Sequence, residues 1–247
     1  MKYIRITLRS CVLVIMLLCI LSLKAIAAST AEPYLTERDY ADFSVLFQPP
    51  GEDDPLFLND LAWHYRAREL WGTPRAEEAR LDCPWDIGVA KRFEEAFGQV
   101  ISLETTPELY VLLERTAMDV SIALRPIKQR FHRVRPYVYF GENTLIPADE
   151  DALRLNGSYP SGHSCVGFAF ALILAEIAPE HQVEILMKGL DYGKSRVIAN
   201  YHWASDVEAA RLIAAMIVAR LHNCGDFRNQ LDRARHEHRA MAASSSP

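Results

Sequence analysis

The chain has 247 residues, half of them apolar and 24% charged, which is enough for one well-cored globular domain and excludes a disordered or collagen-like protein. With 27 Lys and Arg against 32 Asp and Glu the net charge is −5. That balance excludes a general nucleic-acid binder, so any affinity for phosphate must come from a local basic cluster.

Residues 1–27 read as a secretory signal peptide. Lys2, Arg5 and Arg9 open it, Cys11 to Leu23 is an apolar run, and Ala25-Ile26-Ala27 supplies small residues for cleavage. The run is too short for a membrane span, and no lipidation box precedes Cys19. The segment carries four basic residues (Lys2, Arg5, Arg9, Lys24) and no acidic one. Without it, 23 basic residues face 32 acidic ones, a net charge of −9. The longest later apolar run, Cys165 to Ala175, stops at Glu176. The mature chain is therefore expected outside the cytoplasm with no membrane contact. Cys83, Cys165 and Cys224 remain, an odd number that allows one disulfide at most and leaves the pair open. No cysteine or histidine spacing matches a zinc site.

Residues 28–45 are mixed and irregular, and a turn-rich stretch, Phe47-Gln48-Pro49-Pro50-Gly51, follows. Asp54-Pro55 starts a helix with Leu58, Leu61, Ala62 and Tyr65 at helical spacing. Gly72-Thr73-Pro74 ends it and begins a short charged helix. Residues 81–88 read as a loop and 87–97 as helix. Pro107 opens a long helix with a stripe of Leu109, Leu112, Leu113, Thr116, Val120 and Leu124, which Pro126 should kink or end near Arg125. Pro136 to Phe140 reads as short, aromatic and extended. Helices are expected over 161–178, 180–200, 209–221 (capped by Ser205 or Asp206) and 227–239, with Gly189 and Gly193 weakening the second. With strand signals nearly absent, the fold class is all-α, as a single compact helical domain over 46–240 and a disordered tail at 241–247.

Three blocks carry chemistry: Lys128 with Arg135-Pro136; Pro160-Ser161-Gly162-His163; and Ser195-Arg196 with His202 and Asp206. Singly, each has an ordinary explanation as a charged face, a helix cap or a core histidine. Together they suit phosphoryl transfer. Lys128, Arg135 and Arg196 can hold phosphate oxygens, with Ser161 and the Gly162 amide as neutral donors at a helix start. His202 and His163 supply a nucleophile and an acid. Asp206, four residues after His202, can receive its ring N–H. No metal is needed, and no cofactor is expected.

The three blocks match, at every fixed position, the motif of the type 2 phosphatidic acid phosphatase and vanadium haloperoxidase superfamily. Gly157 to His163, Ser195-Arg196-Val197-Ile198, Tyr201-His202-Trp203, Phe57-Leu58-Asn59-Asp60, Ala96-Phe97-Gly98 and Leu174 to Ile177 further resemble the bacterial class A non-specific acid phosphatases. The resemblance runs from about Phe47 to about His238. It departs at Ser164, which stands where the family has Thr, at a shortened proline run, and at Asp82 to Asp86, whose acid and tryptophan bear on substrate preference.

The resemblance implies His202 as the nucleophile that becomes phosphohistidine, Asp206 as its orienting partner and His163 as the leaving-group acid. It implies Lys128, Arg135, Ser161, Gly162 and Arg196 as the phosphate cradle. It also implies a metal-free periplasmic homo-oligomer that hydrolyses small phosphomonoesters of many kinds and passes phosphate to alcohols. Rival readings are a vanadate-dependent haloperoxidase, a lipid phosphatase and a non-catalytic phosphate-binding protein. The second calls for membrane spans, and the third has no use for two histidines beside an aspartate.

Overall fold

The computed structural model describes residues 31–40, 45, 48–83, 85 and 88–245. The segment 1–27, read as a signal peptide, lies outside them, as do Pro84, Asp86 and Ile87. Among the described residues there are helices and no strands, in line with the all-α expectation. After a helical turn at Glu37–Tyr40 come α1 (Pro55–Arg68), α2 (Pro74–Leu81), α3 (Gly88–Lys91), α4 (Glu94–Phe97) and α5 (Pro107–Phe131). They are followed by α6 (Pro136–Phe140), α7 (Glu150–Arg154), α8 (Gly162–Ile177), α9 (Gln182–Ile198), α10 (Ala204–Leu221) and α11 (Gly225–Ser245). None of the helices searched is long and apolar enough to cross a membrane.

Helix α8 is the hub. Its sequence is apolar on every side, and such a helix is stable only when surrounded. Eleven of its 16 residues are buried, and α3, α5, α9, α10 and α11 all pack on it. Glycines set how closely α9 approaches. A Cβ on Gly189 would stand 2.5 Å from the Ala171 Cβ, and one on Gly167 would stand 2.5 Å from the Tyr192 ring. The residue that weakens the helical pattern of α9 is thus what lets it lie against α8.

Four local expectations need correction. Helix α5 continues through Pro126 to Phe131. Proline removes one backbone hydrogen bond, but Ala123, Leu124 and Ile127 are buried on both sides of it and hold the helix across the gap. Pro136 to Phe140 is a helical turn, not extended. Pro136 takes the first helical position, where its ring fits, and Gly141 closes the turn at φ 66°. Helix α1 buries Phe57, Asp60, His64 and Ala67 and leaves Leu58 and Tyr65 exposed. Its protein-facing side is partly polar, so apolar spacing picked the wrong face. Finally, α11 runs to Ser245, through most of the segment expected to be disordered.

Three described residues before α1 belong to the core. Tyr34, Leu35 and Tyr40 are buried. Asp119, buried in the middle of α5, accepts from the amides of Tyr34 (3.1 Å) and Leu35 (3.0 Å) and from the Tyr40 hydroxyl. Cys83, Cys165 and Cys224 are all free thiols.

Candidate active site

The end of α5, the start of α8 and the end of α9 converge on a cleft of about 680 Å³. Lys128, Arg135, Gly162, His163, Arg196 and His202 line it, with Trp85 at its edge. Six of the eight residues singled out from the sequence therefore share one cavity wall, although up to 74 positions separate them. The other two, Ser161 and Asp206, are fully buried behind that wall.

The stretch Asn200 to Trp203 sets His202. Asn200 adopts a positive φ of 67°, which turns the chain from α9 into α10. The His202 Nδ1 lies 2.8 Å from the Ser158 carbonyl and 3.4 Å from Asp206 Oδ2. A carbonyl only accepts, so Nδ1 carries the proton and Nε2 presents its lone pair. Arg135 Nη1 stands 3.2 Å from that Nε2. Asp206 is occupied elsewhere as well. It accepts from Arg133 Nη1 (2.6 Å), the Trp203 amide (2.9 Å) and the Ser158 hydroxyl. Arg133 also reaches Asp60 at 2.7 Å, and Asp60 in turn holds the Ser205 amide and hydroxyl at 2.8 and 2.6 Å.

His163 follows Ser161, whose hydroxyl accepts from the Ser164 amide at 3.4 Å and the Ser164 hydroxyl at 2.8 Å. Both contacts use Ser161 Oγ as acceptor, so its own proton remains available to donate. The His163 Nε2 donates to the Cys83 carbonyl at 2.9 Å, which leaves Nδ1 to take up and release a proton. Trp85 packs edge-on against the His163 ring with centroids 4.6 Å apart.

Among the described residues, the three cations make no ion pair. Lys128 Nζ donates to the Gly157 carbonyl at 2.8 Å. Arg135 donates to the carbonyls of Leu153, Asn156 and Tyr201, each at 3.0 Å. Arg196 reaches the Asp82 carbonyl at 3.3 Å, and its buried Nε has no partner. Burial, then mutual repulsion, pushes the Lys128 ammonium down to about 7 and the Arg135 guanidinium down to about 10. Both histidines are held well below their ordinary range. Burial dominates in each case, followed by Arg196 for His163 and by Arg135 for His202. A site whose buried cations repel one another and leave a donor unsatisfied is built to receive an anion. Among the described residues, no group of three or more His, Cys, Asp or Glu side chains is arranged to hold a metal ion.

Sequence reasoning missed Ser158, Arg133 and Asp60. Ser158 acts largely through its carbonyl, which any residue supplies. Arg133 sat unseparated among neighbouring basic residues. Asp60 appeared only within the resemblance.

Comparison with known proteins finds relatives over most of the chain. Residues 109–230 match the PAP2 superfamily. The chain is 44% identical to a non-specific acid phosphatase of Providencia stuartii, over 83% of this chain and 84% of that one. It is 35% identical to a non-specific acid phosphatase of Salmonella typhimurium, over 87% of both chains. Against an acid phosphatase of Zymomonas mobilis it is 32% identical, over 88% of this chain and 83% of that one. The chain belongs to the non-specific acid phosphatases of the PAP2 superfamily.

Proposed function

We propose that the protein is an acid phosphatase that hydrolyses phosphomonoesters through a phosphohistidine on His202. The observation that carries this reading is the set of three buried or half-buried cations, Lys128, Arg135 and Arg196, without an ion-pair partner among the described residues, around the unprotonated Nε2 of His202, which accepts from Arg135 at 3.2 Å. Phosphate oxygens fill the places that now force these cations to face one another. Three cations, the Ser161 hydroxyl and the Gly162 amide then spread over the equatorial oxygens of the transition state, where stabilisation is mainly electrostatic.

His202 Nε2 attacks phosphorus, and its Nδ1 proton stays on the Ser158 carbonyl side as the ring becomes cationic. The P–O bond to the leaving group breaks, and that oxygen takes a proton from His163 Nδ1. In the second half, water attacks phosphorus, His163 accepts the water proton, and the N–P bond breaks to release phosphate and neutral His202. An alcohol in place of water gives phosphate transfer. Asp206 helps to stabilise the cationic His202 from 3.4 Å while anchored by Arg133 and Trp203.

The test is trapping. Rapid acid-free quenching with labelled substrate should yield a base-stable, acid-labile phosphoenzyme in the wild type. His202→Ala should lose it, with turnover lower by several orders of magnitude. Phosphohistidine persisting in His202→Ala would remove the assignment. Activity should survive EDTA and be abolished by vanadate; loss on chelation with recovery on adding a divalent metal would overturn the metal-free chemistry. The reading includes export from the cytoplasm, which amino-terminal sequencing of the secreted protein checks.

A further inference from the structure

The cleft is much larger than one phosphate, and its outer wall is as one-sided in charge as its floor. Among the described residues, no aspartate or glutamate lines it. Beyond the three cradle cations, Arg125, Gln129 and His132 face it from α5. These positions fall on one stripe with Lys128, at helical spacings of three and four. The stripe runs from Arg125 through Lys128 and Gln129 to His132, the left-handed cap of α5 at φ 43°. Arg125 is exposed and has no ion-pair partner among the described residues. In a chain of net charge −5, a cleft with four cations and no carboxylate among its described lining residues is a local exception.

We propose that Arg125, with Gln129 and His132, forms a second anion subsite, and that the preferred substrates carry a second phosphate on the leaving group. This rests on the phosphatase reading above and names the substrate class within it. One phosphoryl group sits on the Lys128, Arg135 and Arg196 floor. The other reaches the α5 wall, where Arg125 lies about 4.5 Å further along the helix axis than Lys128. Arginine there offers a planar pair of donors to phosphate, and Gln129 offers a neutral amide. Only the scissile P–O bond is cleaved; the second phosphate leaves with the alcohol.

The experiment compares fructose 1,6-bisphosphate with fructose 6-phosphate. The ratio of kcat/KM should favour the bisphosphate by about tenfold, the scale of one charge-assisted contact, and should shrink as salt is raised. Arg125→Gln should bring the ratio close to one, chiefly through KM for the bisphosphate. Arg130→Gln makes the same charge change on the same helix outside the cleft and should leave the ratio at its wild-type value. A wild-type ratio near one, or a ratio that Arg125→Gln and Arg130→Gln lower equally, would overturn the subsite. Calorimetric binding of both sugars to His202→Ala measures the same preference without turnover. If neither sugar is hydrolysed by the wild type but the binding preference and its loss in Arg125→Gln remain, the phosphatase reading fails and the subsite stands.

Discussion

Lys128 is a lysine whose charge depends on what lies beside it. Burial and the neighbouring Arg135 push its ammonium down to about 7, so it gains charge as pH falls through the neutral range. Anion binding should therefore strengthen as pH falls, which gives an acidic optimum a cause outside the two histidines. The alkaline limb of kcat/KM reports the free enzyme, so it should contain the loss of the Lys128 proton. Arginine stays charged throughout this range. Lys128→Arg should move that limb to higher pH for every substrate, and an unmoved limb in an active variant would show that Lys128 does not govern it. His163 predicts a different pattern. If Nδ1 protonates the leaving oxygen, His163→Ala should damage alkyl phosphates far more than aryl phosphates, whose leaving groups need the proton less. Equal damage to both would reduce His163 to a phosphate ligand. The types of these residues were legible in the sequence because charge and imidazole are side-chain properties. The tautomer of His202 was not. The nearest acceptor to Nδ1 is the Ser158 carbonyl, and backbone acceptors leave no trace in residue identity.

Between residues and the molecule, the segment after α2 does more than its loop-like sequence suggests. Asp82 is buried, with its carboxylate on the Ser195 hydroxyl at 2.6 Å and on Arg92 at 2.7 Å. Its carbonyl meets Arg196, and the next carbonyl, that of Cys83, meets His163. One short stretch therefore sets both a cradle arginine and the acid. Asp82→Asn should lower kcat by about tenfold or more, since small misplacements at a reacting centre cost that much, and should affect aryl and alkyl substrates alike. Trp85, at the cleft edge, should behave oppositely. Trp85→Ala should reorder substrates while changing turnover on a small aryl phosphate little, and a uniform loss would mean that it only supports the loop.

Helix existence was readable from periodicity, most clearly for α5, whose predicted stripe is buried residue for residue. What failed was local competition. Pro126 weighed more in the sequence than in a helix packed on both sides of it, and α1 turned its polar face inward because Asp60 finds Arg133 and Ser205. Gly189 offers a direct test of the packing account. Gly189→Ala improves helix propensity yet forces a Cβ against Ala171, so it should destabilise by about 1–3 kcal/mol in chemical denaturation. A stabilised variant would refute the close-approach explanation.

At the scale of the whole molecule, two buried neutral histidines and a depressed lysine link stability to pH. A basic group whose folded pKa lies below its unfolded value is protonated first in the unfolded chain. Stability is then lost as pH falls below about 6.5 for the histidines, and below the ordinary lysine range for Lys128. An anion in the cleft reverses the penalty by favouring the charged forms. Sulfate keeps its double charge over this range, so its stabilising effect in thermal melts should be larger at pH 5 than at pH 7.5. A shift independent of pH would show that the cleft groups do not change protonation on binding.

The Asp119 clasp spans more than eighty residues. The stretch that begins at Tyr34 therefore has no docking partner while it is being synthesised; its seat on α5 is made much later. Closing so long a loop costs entropy that is recovered only when both ends are present. The seat of Tyr34 and Leu35 is thus a long-range event, complete only once residue 119 has been made.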